Sequence, residues 1–206
     1  VGESWIADVV LGGELDEQGM VFDFSNVKRT IKRVIDERVD HRLVIPRGYH
    51  GLSWNEEEPD TFNWSLTDGS QITHRSPDEA IVWLSADRVV PSAVASLLEQ
   101  EIKAVLPANV ISVEINLREE EIDGAYYHYV HGLKKHLGNC QRIAHGHRSP
   151  IRIDRNGHRD YDLERRWAKL WRDIYVGSEE DVVRRHVGED GVRYVTFEYE
   201  ANQGEF

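Results

Sequence analysis

The sequence has one cysteine, one methionine and six prolines in 206 residues, and no apolar run approaches the roughly 20 residues needed to cross a bilayer. A single cysteine forms no internal disulfide, which fits a reducing compartment and leaves the thiol to chemistry rather than to crosslinking. Basic residues are scarce beside acidic ones: 25 Lys plus Arg against 37 Asp plus Glu gives 25 − 37 = −12. That balance argues against general binding to nucleic acid or to an anionic membrane surface, so an anionic substrate has to meet a local basic patch. No charged-then-apolar signal opens the chain, and a cytoplasmic location is expected. The chain starts at Val1 without an initiator methionine and stops at Phe206, just after the alternation of residues 192–199, so flanking elements are expected at both ends.

What is present points to a folded protein with a chemical centre. A 40% apolar content with six tryptophans supports a globular core, as one large domain or two units of about 100 residues each. The most informative stretch is Cys140-Gln-Arg-Ile-Ala-His145-Gly-His147, preceded by His131. If residues 145–151 run as a strand, His145 and His147 point to the same face. The Gly- and Lys-rich loop at 132–138 lets residues 125–133 return as an antiparallel partner of 145–153, bringing in His131 as a third ligand. Three neutral imidazoles leave a tetrahedral zinc one open position, the arrangement of a catalytic site.

Local patterns predict the surrounding elements. Residues 4–11 read as a strand closed by Gly12-Gly13, and Ser25 as the N-cap of an amphipathic helix over 26–38 with Val27, Ile31, Val34 and Ile35 at helical spacing, ending near Asp40-His41. Residues 47–78 read mostly as an irregular excursion, followed by a strand at 80–84. Pro91 opens a second helix with Val94, Leu97, Leu98 and Ile102 in one stripe, stopped by Pro107, and 110–117 is a strand. Strands at 125–133 and 145–153, a helix at about 161–173 and a strand at about 192–199 complete an α+β order built on antiparallel sheet. The stripe of Trp167 and Trp171 reads as helix core. Gly2-Glu3-Ser4 and His145-Gly146-His147 open comparable strands, a faint internal repeat.

Four segments together resemble the 6-pyruvoyl-tetrahydropterin synthase and 6-carboxytetrahydropterin synthase family, whose members adopt the tunnelling fold. They are His131-Gly-Leu133, Cys140 through His147, Gly19-Met-Val-Phe-Asp-Phe24 leading to Asp40-His41, and the Pro91-Ser92 helix start preceding a strand that ends at Glu119. In the ordinary family the metal strands precede the Asp-His helix, whereas here they follow it by a hundred residues. That order suits two tandem tunnelling-fold units with helices packed on one face of the sheets. Residues 1–120 are the expected first unit, with a degenerate metal motif and the Asp-His pair. Residues 121–206 are the expected second unit, with the metal strands and the cysteine and cut short at its C-terminus.

The resemblance implies a zinc-dependent lyase acting on 7,8-dihydroneopterin triphosphate and forming a 6-pyruvoyl- or 6-carboxy-tetrahydropterin, as in pterin or queuosine-type biosynthesis. It implies His131, His145 and His147 as zinc ligands, Cys140 as the thiol that takes the side-chain proton, and Asp40-His41 as an acid/base pair. Glu119 would accept two parallel hydrogen bonds from the guanidine-like edge of the pterin, and Lys134, Lys135, Arg142 and Arg148 would meet the triphosphate. In the family the site lies between neighbouring subunits and sheets close into barrels, so a homo-oligomer is expected. Two other readings remain at this stage: a non-catalytic pterin-binding protein, and a tunnelling-fold enzyme acting on a purine nucleotide.

Overall fold

The alternation near the start of the chain forms β1 (Trp5–Gly13) in the computed structural model, which describes residues 2–55, 57–67, 69–142, 145–189 and 191–206. Ile143 and Ala144, inside the Cys140–His147 motif, and Val1 lie outside the described residues. After β1 come α1 (Phe24–Arg38), β2 (Leu43–Pro46), β3 (Leu52–Asn55), β4 (Glu58–Ser65), β5 (Gln71–Arg75), β6 (Ile81–Leu84), α2 (Pro91–Val105) and β7 (Val110–Glu119). The remainder holds β8 (Tyr126–His131), β9 (Gly146–Pro150), β10 (Asp154–Arg155), β11 (His158–Arg159), α3 (Tyr161–Leu170), β12 (Ile174–Val176), β13 (Val182–Val187), β14 (Arg193–Phe197), β15 (Glu200–Ala201) and β16 (Gly204–Glu205).

The elements group into two units. One, the α1/α2 unit, comprises Trp5–His50 and Ile81–Glu120; the other, the histidine unit, comprises residues 2–4, Gly51–Ala80 and Glu121–Phe206. In the α1/α2 unit β1 and β7 pair antiparallel from Trp5↔Glu119 to Gly13↔Val110, and β2 pairs parallel with β6. Val94, Leu98 and Ile102 recur every fourth residue on α2, are almost fully buried, and meet Val34 of α1 and Ile115 of β7. Each such aliphatic side chain contributes about 1.5–3 kcal/mol by leaving water. The amide nitrogen of Asn109 donates to the carbonyls of Glu14 and Val21, holding the β1–α1 connection against the start of β7.

The cap of α1 is Asp23, not Ser25. Its carboxylate accepts from the Asn26 N–H at 3.0 Å, and the helix already starts at Phe24, so Ser25 lies in its first turn. At the other end the N–H groups of Val39 and Asp40 both donate to the Ile35 carbonyl, and His41 takes a left-handed backbone (φ 58°) that ends the helix.

In the histidine unit, β8 and β9 pair antiparallel and β12 pairs parallel with β8. Antiparallel pairing dominates as expected, with these two parallel pairings added. Residues 52–75 form the meander β3-β4-β5, where an excursion was expected. Phe62, Trp64 and Ile72 supply strand residues there, but the runs are short and separated by residues such as Glu57 and Gly69, which hides the period-2 signal. Glu164 of α3 is buried (1% exposed) and accepts from the Arg159 guanidinium and from the Ile153 N–H. The Arg159 hydrogen bonds hold its carboxyl below the usual carboxylate range and tie α3 to the β10–β11 hairpin. No helix among the described residues is long and apolar enough to cross a membrane.

Candidate functional site

In the histidine unit, strand alternation builds a patch on one face of the β8–β9 ladder. Tyr127, Tyr129 and His131 project to the same side of β8, and Tyr129 stands directly opposite His147 on β9. His145 precedes β9, yet its carbonyl accepts from the His131 N–H at 3.0 Å, so the ladder continues one step and the two imidazoles meet. The Nε2 atoms of His131 and His147 face each other at 3.0 Å with rings 11° from parallel, and the His145 ring stands nearly perpendicular to both. One nitrogen from each of the three lies within 4.8 Å of those of the other two. His131 is 4% exposed, and its partners are half-buried.

This donor set fits a divalent transition metal. Zn–N bonds of about 2.0–2.1 Å in a tetrahedron require nitrogens about 3.3 Å apart, close to the spacing of the His131–His147 pair. Three imidazole donors with no carboxylate among them suit zinc, copper, iron or nickel rather than magnesium or calcium.

Cys140 sits on a short 3₁₀ turn (Gly138–Gln141), entered through Gly138 at φ 75°, with its sulfur 3.8 Å from His145 Nε2. The C-terminal hairpin holds this turn. Tyr199 Oη donates to the Gln141 carbonyl at 2.6 Å, while the Gln203 amide accepts from Arg142 Nε and donates to Asn139 Oδ1. Burial pushes the Tyr199 phenol upward, so it stays a donor throughout the physiological range.

Of the four basic residues flagged in the sequence, Lys134 bonds Asp181 and Glu180, which raises its pKa, the Asp181 hydrogen bond contributing most. Lys135, with its side chain 80% exposed, bonds Glu180 at 3.0 Å. Arg148 approaches Glu3 at 3.4 Å, and Arg142 is buried against Gln203.

In the α1/α2 unit, His41 Nδ1 and Asp40 Oδ2 are 2.6 Å apart, a contact in which the carboxylate favours the tautomer with its proton on Nδ1. His41 takes a left-handed backbone (φ 58°) where it makes this contact. Glu119 is exposed at the last position of β7, opposite Trp5.

Tyr129 is a residue that the motif reading missed. Its ring stacks on His147 (centroids 5.1 Å, 29°) and on His131 (6.0 Å, 27°). The alternation Tyr127-x-Tyr129-x-His131 was available in the sequence as the signal.

The family model for 6-pyruvoyl tetrahydropterin synthase matches residues 2–128 of this chain. That span holds Asp40, His41 and Glu119 and stops short of His131. A Pyrococcus horikoshii protein named "Putative 6-carboxy-5,6,7,8-tetrahydropterin synthase" is 22% identical over 119 residues, 58% of this chain and 68% of the relative. Among solved structures, 6-pyruvoyl tetrahydropterin synthase from Plasmodium vivax matches at 20% identity and TM-score 0.40, over 48% of this chain and 59% of that one. The Plasmodium falciparum enzyme matches at 18% identity and TM-score 0.44, over 55% and 71%. This chain thus spans about three fifths of the P. vivax protein.

Proposed function

The chain belongs to the 6-pyruvoyl tetrahydropterin synthase family, and from that premise we propose that it is a zinc-dependent lyase. Its substrate is 7,8-dihydroneopterin triphosphate, and its product a 6-pyruvoyl- or 6-carboxy-tetrahydropterin for pterin or queuosine-type biosynthesis. The observation that carries this reading is the cluster of His131, His145 and His147, three imidazole nitrogens within 4.8 Å of one another.

In this reading His131, His145 and His147 would hold the metal through their imidazole nitrogens. When bound, zinc supplies Lewis acidity toward the oxygens of the substrate side chain. Cys140, held by the turn that Gln203 and Tyr199 clamp, takes the proton from the side-chain carbon as its thiolate. His41 donates and accepts through Nε2 while Asp40 stabilises its protonated form. Glu119 accepts two hydrogen bonds from the guanidine-like edge of the pterin. Lys134, Lys135, Arg142 and Arg148 supply positive charge for the triphosphate, Lys135 being more exposed than Lys134. The tandem arrangement, residues 1–120 and 121–206 as two tunnelling-fold units, is part of the same proposal.

A homo-oligomer is part of the same proposal. Among the described residues the β1–β7 sheet consists of these two strands, nine and ten residues long, which supports a reading in which further strands add to it. Pairing between copies would supply such strands in a homo-oligomer.

The test is a product assay. Purified protein loaded with zinc and given 7,8-dihydroneopterin triphosphate is expected to release a tetrahydropterin resolved by chromatography, and Cys140→Ala is expected to lose that product while keeping its metal. Turnover of GTP in place of the pterin, or no pterin product at all, contradicts the proposal.

A further inference from the structure

The terminal torsion of an imidazole has only a broad two-fold preference, whereas a metal accepts the lone pair along one direction, so the packing around a ring bears on how well it presents its nitrogen. On the face of the β8–β9 ladder, part of that packing is aromatic.

Tyr129 lies against both rings of the near-parallel pair, 29° from His147 and 27° from His131. It is backed in turn. Tyr127, two residues earlier on the same face, stacks on it with centroids 5.3 Å apart and planes 25° apart, and Trp171, just past the end of α3, meets Tyr127 edge-on at 5.2 Å. Trp167, one turn earlier, meets Trp171 edge-on at 5.5 Å. The result is a continuous run of aromatic rings from the last turn of α3 to two of the three imidazoles. Tyr129 is half-buried, and its ring neighbours on this face of the ladder are Tyr127, His131 and His147.

We propose that Tyr129, supported by Tyr127 and Trp171, is a positioning residue that orients the His131 and His147 rings and thereby tightens metal binding. The inference rests on the reading of these histidines as metal ligands. Tyr129 itself touches neither metal nor substrate in this scheme. It acts by restricting ring rotation in the metal-free protein, so that less freedom is lost when the ion binds. Hydrogen-bonded partners that orient metal-bound histidines change metal affinity by about 10- to 100-fold when removed, which sets the scale for a stacked ring in the same role. The aromatic face carries the effect, so phenylalanine should replace tyrosine and leucine should not.

The experiment titrates Zn²⁺ against a competing chelator in metal-free wild type, Tyr129→Phe, Tyr129→Leu and Trp171→Leu, with cobalt absorption spectra of the same proteins. The expected result is near wild-type zinc affinity for Tyr129→Phe and affinity about 10-fold or more weaker for Tyr129→Leu, with an altered cobalt spectrum. Trp171→Leu, which removes only the rear support, should shift affinity in the same direction by less. Thermal melts of the metal-free proteins separate this effect from loss of fold: if Tyr129→Leu does not fold, Trp171→Leu decides. Wild-type affinity in the leucine variants overturns the proposal, as does equal weakening by phenylalanine and leucine at position 129. A wild-type protein that takes up no metal fails differently, because it removes the ligand reading underneath.

Discussion

Gly2 and Gly146 approach so closely that a Cβ on Gly146 would fall 2.7 Å from the Gly2 carbonyl group, and one on Gly2 would fall 2.6 Å from the Gly146 nitrogen. The contact runs on along both segments. Ser4 Oγ donates to the Gly146 carbonyl at 2.6 Å, and Glu3 lies 3.4 Å from the Arg148 guanidinium. The two tripeptides that the sequence pairs as counterparts, Gly2-Glu3-Ser4 and His145-Gly146-His147, therefore lie side by side, and the backbone of the first fixes the strand that carries His147.

Gly146→Ala is expected to force that contact apart. Neither backbone can yield as a flexible side chain does, so the cost falls in the range of about 1–3 kcal/mol typical of overpacking. For a chain of this size each kcal/mol lowers the melting temperature by roughly 2–4 °C. Calorimetry of the variant checks the stability loss. An unchanged melting temperature would mean that the two segments separate readily in solution.

The Asp40–His41 pair makes a kinetic prediction. On the proposed role, His41→Ala is expected to lower kcat by about 10²–10⁴-fold, with metal content unchanged because the pair holds no ligand of the histidine cluster. Asp40→Asn keeps a hydrogen-bonding group beside the ring, so it should cost less. Unchanged kcat in both variants would reduce the pair to a helix-end structure.

Buried His74 predicts how stability depends on acidity. It packs against Phe62 with the rings tilted by 47°, bonds the Ser76 hydroxyl at 2.9 Å, and burial lowers its pKa to about 4. Between pH 6.5 and 4 the unfolded chain carries a proton here that the folded chain does not, so stability falls as the solution is acidified through that window. Above pH 6.5 both states are neutral and the residue adds no slope. The full shift is worth about 3 kcal/mol. Chemical denaturation from pH 7.5 to 4.5 should show this loss, and His74→Gln should flatten it. A variant with the wild-type slope would assign the acid sensitivity to other groups.

The sequence made the helices and the β8–β9 ladder legible because each rests on a strong local signal. Pro91 with the Val94, Leu98 and Ile102 stripe marks α2, and His131 with His145-x-His147 marks an antiparallel pair through strand alternation alone. The start of α1 went to Asp23 over Ser25 because either side chain suits a cap and only the neighbouring backbone N–H decides between them. The β3-β4-β5 meander was obscured by turns every few residues, and the clamp of Gln203 and Tyr199 on the Cys140 turn joins residues more than 55 positions apart. Contacts of that range leave no periodicity to read. The Gly2–Gly146 approach has the same origin: the glycines stand out in the sequence, and their partnership does not.

The measurement that bears most directly on this account is the metal content of the purified protein, by elemental analysis after dialysis against a weak chelator. Wild type should retain close to one zinc per chain, and His131→Ala and His147→Ala should each retain almost none while keeping their secondary structure by circular dichroism. Equal zinc in wild type and both variants, or none in any of them, would contradict it.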